Sequence, residues 1–393
     1  MPRIQNTALT SRHAICTVST PFQIFSLLCV MNEGHFGCCG LTLALHGAVT
    51  GDSQLIARVR ESGLFERVVV ARSSYPSCRH LGTKTLWDFT ARRRASERRF
   101  NSTFPELAGL SFDCLITSCA DRPALEAKRF LVPEGETYFI DDGEGTRTGF
   151  VLRPLACFDD NAARSARTES VGGKCRYMTR LLANRVIGRR ANLNLKRIYS
   201  FAIDAAFAKQ TYNYIPVTAI GVGDNCDLPA KIVNTACPTN DYSAVDQIYL
   251  SLPGDMDSKV LGRELELVKL MMDSSNGQLR IRLHPRRSSD DFKQFTGSIL
   301  DRAFWESLVL NGTIDDSVTL IALGSTAQSS PFTLAGVEPR CVYLYRLFGS
   351  EIVDLEPFNE MAKNLKGAYH DPERVAVPSC EAELVKAMAR GVA

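Results

Sequence analysis

The sequence predicts an α/β protein of two domains built on mostly parallel sheets. Three observations predict it. Short apolar segments rich in β-branched residues alternate with segments of helical period along most of the chain. The alternation pauses at an irregular, Gly- and Pro-bearing stretch, Val217 to Cys237, and then restarts, as at a domain border. With 393 residues and 45% hydrophobic content, the chain is long and apolar enough for two cores.

The first unit opens with His13 to Ser19, which reads as a buried strand. Thr20 is a fair helix cap and Pro21 suits a first helical turn. Phe22, Phe25, Leu28 and Cys29 then recur at helical spacing. This strand, turn and helix bring backbone N–H groups to the end of a strand, where α/β folds bind ligands. Further strands are expected at Gly40 to Leu45, Arg67 to Ala71, Cys114 to Ser118 and Thr137 to Ile140. Helices are expected at Asp52 to Ser62 and Pro123 to Phe130. Residues 158 to 215 lack strand alternation and read as two helices.

The second unit starts near Gln247 to Leu252, with a helix from Lys259 to Met272. Strands follow at Gln278 to Leu283, Ser317 to Leu323 and Arg340 to Leu344. Cys380 to Arg390 reads as a final helix. The expected division is 1–240, 241–370 and a helical tail, 371–393.

Composition excludes some classes. Charged residues at 23% exclude a disordered chain, and a net charge of +3 gives no argument for nucleic acid. Locally, Arg72 to Phe100 holds eight Lys or Arg against two acids, including Arg92, Arg93 and Arg94. Arg164 to Arg197 holds ten against one. Such stretches attract anionic lipid or acidic glycan, or are solvated faces with no partner. The 13 cysteines are odd in number, and Cys16, Cys29, Cys114 and Cys175 sit in apolar runs. Buried thiols of a reducing compartment fit best. Cys38-Cys39 is no metal-ligand spacing, and no zinc site is expected. No clean apolar run of about 18 residues and no signal-peptide pattern are present. The expected location is cytoplasmic, or peripheral on the inner face of the membrane.

Four motifs carry candidate chemistry. Tyr138-Phe139-Ile140 runs into Asp141-Asp142-Gly143-Glu144-Gly145: carboxylates at a strand end, with glycines that let the chain turn. A plain Asp-Gly turn needs only one of these acids. Leu283-His284-Pro285-Arg286-Arg287 follows a short strand. An imidazole beside guanidiniums makes an anion site, and a protonated His can pass a proton to a leaving phosphate. Ser325, Thr326, Ser329 and Ser330 cluster where a helix start would hold a phosphate, or would simply be capped. Asp255, in Ser251-Leu252-Pro253-Gly254-Asp255, closes the second unit's first strand in what is also an ordinary turn. Nucleotide-binding P-loop, dinucleotide, nucleophile-elbow and H-E-x-x-H signatures are absent.

Two similar α/β units with a cleft between them are a common plan for enzymes of nucleotide-activated sugars, by fold analogy. The residues resemble, more narrowly, the bacterial family that includes lipooligosaccharide sialyltransferases (glycosyltransferase family 52). Ile15-Cys16-Thr17-Val18-Ser19-Thr20-Pro21-Phe22-Gln23, the Asp141-Asp142-Gly143 turn and His284-Pro285-Arg286 carry the likeness, over roughly residues 13 to 345. The resemblance implies a GT-B-type fold, two Rossmann-like domains facing an interdomain cleft, with the acceptor on the N-terminal side. It implies inverting, metal-independent transfer of sialic acid from CMP-sialic acid to a galactose hydroxyl of a surface glycan such as lipooligosaccharide or capsule. No cofactor beyond that donor is implied. His284 would be the general acid. Thr20, Pro21, Gln23, Gly143, Pro285, Arg286, Ser325, Thr326, Ser329 and Ser330 would hold the donor. The base would be Asp255, or, by likeness to related families, Asp141 or Asp142. Expected partners are a nucleotide-sugar donor and a glycan acceptor, not nucleic acid. Peripheral contact with an anionic membrane and a homodimer stay open. Rival readings are a glycosyltransferase with another nucleotide sugar, a phosphotransferase with magnesium on Asp141 and Asp142, and a non-catalytic polysaccharide-assembly protein.

Overall fold

The computed structural model describes residues 12–36, 40–73, 86–118, 121–142, 194–201, 215–222, 224–233, 242, 245–254, 256–300, 303–352 and 355–389. The chain divides into two units, Met1–Val233 and Asn234–Ala393.

Among the described residues of the first unit, seven strands form one sheet. They are β1 (His13–Val18), β2 (Gly40–Leu45), β3 (Arg67–Val70), β4 (Cys114–Thr117), β5 (Glu136–Phe139), β6 (Leu195–Ser200) and β7 (Val217–Ala219). Their order is β3-β2-β1-β4-β5-β6-β7, and every pairing is parallel. Parallel strands covered on both faces read as continuous apolar runs, and β2 and β4 are buried along their whole length. The helices are α1 (Pro21–Asn32), α2 (Ser53–Glu61), α3 (Leu86–Thr103), α4 (Arg122–Phe130) and α5 (Asp224–Val233). One core packs Ile15, Ala44, Val69 and Leu115 against Phe100, Phe104, Leu107, Ala127 and Leu131.

Side chains set the helix limits. Asp52 accepts from the Leu55 N–H and Asp121 from the Ala124 N–H, capping α2 and α4. Lys128 is buried, and its Nζ donates to the carbonyls of Val132 and Gly135 past the end of α4. That ammonium sits at the negative pole of the helix and satisfies carbonyls of the turn that follows it.

The second unit repeats the plan. Its strands are β8 (Gln247–Leu250), β9 (Leu279–Arg282), β10 (Ile299–Leu300), β11 (Thr319–Ala322), β12 (Arg340–Tyr343) and β13 (Val375–Ala376). The order is β10-β9-β8-β11-β12-β13, again all parallel. The helices are α6 (Ser258–Ser274), α7 (Trp305–Leu310), α8 (Thr326–Ala335), α9 (Glu356–Ala368) and α10 (Glu381–Ala389). Counted within each unit, both sheets begin 3-2-1-4-5-6. This is the doubly wound order, and the point where it reverses lies between β1 and β4 in one sheet and between β8 and β11 in the other. The fold class is therefore the expected one: two Rossmann-like α/β units with parallel sheets, the make-up of a GT-B-type protein.

Two prolines inside helices are accommodated in the same way. A proline removes the donor to the carbonyl four residues earlier. Pro229 in α5 leaves the Asn225 carbonyl, which accepts from Asn32 Nδ2. Pro331 in α8 leaves the Ala327 carbonyl, which accepts from Trp305 Nε1 at 3.0 Å.

The structure corrects two expectations. Val217 to Cys237 does hold the border between the units, but it is not irregular, since β7 and α5 lie in it. Gly221 and Pro229 gave the turn signals, but the helix tolerates its proline through Asn32. Residues 158 to 215 are not wholly without strands, since β6 lies in them; its polar pair Lys196-Arg197 hides the period. Residues 164–193 of the second basic stretch, Cys38, Cys39 and Cys175 lie outside the described residues. So do the side chains of Arg92, Arg93 and Arg94, although α3 runs through them.

Candidate functional site

Ligands of doubly wound sheets bind outside the carboxyl ends of the strands, at the reversal of order. In the first unit that edge is made of the residues after β1, β2, β4 and β5. Thr20 caps α1 by accepting from the Gln23 N–H, and Pro21 supplies no N–H at the first helical position. Gln23 is buried and turns back along the edge. Its Oε1 accepts from the Ser19 N–H at 2.6 Å, and its Nε2 donates to Asp142 Oδ1 at 2.6 Å. The Thr20-x-x-Gln23 spacing is that of a capping box, with the amide bonded one residue further out.

The two adjacent acids have different surroundings. Asp141 is buried, and its Oδ2 accepts from Ser200 Oγ and from the Phe201 N–H, both at 2.7 Å. It joins the end of β5 to the end of β6. Asp142 is partly buried, and its pKa is pushed up to about 7. Burial is the main cause; repulsion from Asp141 and Asp121 adds to it, and the Gln23 hydrogen bond opposes it. A carboxyl group that exchanges its proton near neutral pH suits general base catalysis.

His46, the residue after β2, is buried, with Nε2 at 3.3 Å from Asp121 Oδ2. Burial moves its pKa below the ordinary histidine value, with Asp121 opposing. Neither His46 nor Asp121 stands in one of the four motifs. Their signals were present: a histidine directly after a buried strand, and an Asp cap one residue before Arg122-Pro123.

The second unit's edge is built from different groups. His284 follows β9 and is half-buried. Its backbone N–H donates to Ser251 Oγ at 2.8 Å, and its Nδ1 accepts from the Arg286 N–H at 3.1 Å. With Nδ1 used as an acceptor, the neutral ring carries its hydrogen on Nε2. The Arg287 N–H closes the turn on the His284 carbonyl at 2.8 Å. Pro285 and Arg286 are exposed on that turn. Gly254 is required beside it, because a Cβ there would lie 2.8 Å from the Arg286 carbonyl oxygen.

Arg287 turns inward and is not offered to an anion. It is buried, 3.1 Å from Glu264 Oε2 and 2.9 Å from Asp291 Oδ2, with its guanidinium over the Phe292 ring. Glu264 also accepts from Tyr249 OH at 2.8 Å and from the Leu252 N–H at 2.7 Å. This network fixes the end of β8 and the His284 turn together.

Ser325 caps α8 in a full capping box. Its Oγ accepts from the Ala327 N–H, and its own N–H donates to Gln328 Oε1. Gln328 Nε2 reaches the carbonyls of Leu320 and Val342 and so ties the helix start to β11 and β12. Thr326 is partly exposed in the first turn, whereas Ser329 and Ser330 are buried and donate back to carbonyls of the helix. Gly324 leaves room for Phe358, since a Cβ would lie 2.5 Å from that ring.

Thus Thr20, Pro21, Gln23, Asp141 and Asp142 gather on the first unit's edge. His284, Pro285, Arg286, Ser325 and Thr326 gather on the second unit's edge, and Ser329 and Ser330 lie deeper in α8. Asp255 and Gly143 lie outside the described residues. Among the described residues, no cluster of three or more His, Cys, Asp or Glu is placed to hold a metal ion, and no helix is long and apolar enough to cross a membrane.

No family model matches the chain, and no curated protein matches it. Solved structures with a similar course include a glycosyltransferase of kitacinnamycin, at 12% identity over 97% of this chain and 93% of that one, TM-score 0.43. Another is the Methanocaldococcus jannaschii UDP-GlcNAc 2-epimerase in complex with UDP-GlcNAc and UDP, at 11% identity over 97% and 92%, TM-score 0.47. A third is Arabidopsis thaliana UGT89C1 complexed with UDP-L-rhamnose, at 11% identity over 96% and 94%, TM-score 0.40. The expected donor, CMP-sialic acid, is corrected here: the nucleotides of these complexes are uridine nucleotides. The sialyltransferase resemblance rests on its short motifs alone.

Proposed function

We propose that the chain is a glycosyltransferase that takes its sugar from a nucleotide donor other than CMP-sialic acid. The observation that carries this reading is Asp142: a carboxyl group pushed up to about 7, held by Gln23, at the carboxyl edge of a doubly wound sheet. Asp142 takes the proton of an acceptor hydroxyl as that oxygen bonds to the anomeric carbon. The bond from that carbon to the nucleotide phosphate breaks, and the configuration inverts. On the second unit, His284 Nε2–H donates to the departing phosphate oxygen, and Arg286 and the positive pole of α8 stabilise its charge. A phosphate there competes with Ser325 for the Ala327 N–H.

The test is turnover of UDP-, GDP- and CMP-linked sugars with lactose as acceptor, followed by mass spectrometry. A UDP- or GDP-sugar is consumed, and Asp142→Asn lowers kcat by about 10²–10⁴ in a chain that melts as the parent does. Full turnover by that variant, or no turnover of any donor, sinks the reading.

A further inference from the structure

The first unit's edge holds a second polar station that the roles above do not use. We propose that His46, held by Asp121, binds a hydroxyl of a neutral or amino-bearing sugar on the same sheet edge as Asp142. This rests on the acceptor reading of that edge for its substrate class.

The ring is fixed from two sides. The His46 backbone N–H donates to the Val18 carbonyl at 3.0 Å, so the turn after β2 is tied to the end of β1. Nε2 lies 3.3 Å from Asp121 Oδ2. The other oxygen of that carboxylate accepts from the Ala124 N–H at 2.9 Å, so it cannot swing away without uncapping α4. A carboxylate facing Nε2 favours the hydrogen there, and burial keeps the ring neutral. Nδ1 then carries the lone pair and can accept from a donor such as a sugar hydroxyl.

A run of contacts links this ring to Asp142. Gly47, next in the chain, sits at φ +65, and a Cβ there would lie 3.1 Å from Ser19 Cβ. The Ser19 N–H bonds Gln23 Oε1, and Gln23 Nε2 bonds Asp142 Oδ1. A separate observation comes from Ser118, directly after β4. It is fully buried, and its Oγ has no hydrogen-bond partner among the described residues. The hydroxyls of Ser26, Thr137 and Thr319 are in the same state among the described residues, and of the four only that of Ser118 belongs to a residue directly following a strand of this edge.

The sign of the charge selects the ligand. Asp121, Asp141 and Asp142 share this edge closely enough that the other two raise the pKa of Asp142. Phosphorylated or sialylated sugars meet like charge there, whereas neutral sugars and amino sugars do not.

The experiment uses the full chain with lactose, glucosamine and galactose 6-phosphate as probes, titrated by saturation-transfer NMR. Lactose and glucosamine bind, and galactose 6-phosphate binds at least tenfold more weakly. His46→Phe keeps the ring's bulk and removes its acceptor; lactose affinity falls about tenfold, the value of one hydrogen bond. Asp121→Asn, which preserves the cap, lowers it about threefold to tenfold. Melting temperatures and donor hydrolysis without acceptor stay at the parent values in both variants. A folded His46→Phe chain that binds lactose as the parent does overturns the proposal. So does equal binding of galactose 6-phosphate, or no binding of lactose by the parent. Sugar binding that depends on His46 in a chain that turns over no nucleotide sugar removes the transferase reading and leaves the subsite standing.

Discussion

The carboxyl edges of the two sheets share a strand order and differ in nearly everything else. On the first, the helix start after β1 is filled from within: Pro21 has no N–H, Thr20 takes that of Gln23, and Gln23 spends its amide on Ser19 and Asp142. Asp141 and Asp121 lie close enough to the Asp142 carboxyl group to raise its pKa. On the second, a histidine and an exposed arginine stand on a turn, and the acids Glu264 and Asp291 beneath it are held by the buried Arg287. Strand order fixes where a ligand sits, and side chains fix what charge it carries. On the proposed reading, the first edge takes an acceptor hydroxyl and the second a phosphate.

The variants that break this contrast differ in size of effect. The largest is Asp142→Asn, which leaves the first edge without its base and cuts kcat by about 10²–10⁴. Next is Arg287→Met, which strands a buried Glu264 and lowers stability by about 3–5 kcal/mol in urea unfolding. Adding Glu264→Gln recovers a large part of that loss. Full stability in the single variant would show that the network does not support the His284 turn.

A pH experiment sharpens the comparison. Folded Asp142 keeps its proton up to about pH 7, against about pH 4 for an unfolded Asp. The folded state therefore binds the extra proton between those values, and this contribution to stability is lost as pH rises through them. Asp142→Asn should flatten that slope and melt higher than the parent at pH 8, although it is inactive. Turnover runs the other way, rising with pH through about 7 as the base ionises. Gln23→Ala removes the bond that favours the carboxylate, so its activity limb should move to higher pH. A limb that moves down contradicts the role given to Gln23. The smallest effect is Ser325→Ala, about 1 kcal/mol from a lost cap, with weaker donor binding measured by calorimetry.

Much of the fold was legible in the residues. Of helix α8 only a capped start near Ser325 was legible; its end was not, and Gly336 sets it at φ +68. Strands β1, β2 and β4 showed as apolar runs because helices cover both faces. Strand β6 was missed, since Lys196 and Arg197 interrupt its period. The border between the units does fall in Val217 to Cys237, but the stretch is not irregular: α5 runs through Pro229, whose cost is offset by a side chain from α1, far away in sequence. The site was half legible. Strand ends marked Asp142 and His284, but nothing local separated Asp142 from Asp141, or Arg286 from Arg287.

By itself the sequence determined two α/β units on mostly parallel sheets and the strand ends where polar residues collect, because period, caps and turn residues act over a few positions. Tertiary structure alone decided which polar groups face inward. Asp141 is taken up by Ser200 and Phe201, Arg287 by Glu264, and His46 by Asp121, and each partner comes from a different strand or helix. Burial and hydrogen bonding are set by such distant neighbours. They decide whether a carboxyl group is a strut or a base, and no spacing along the chain encodes that.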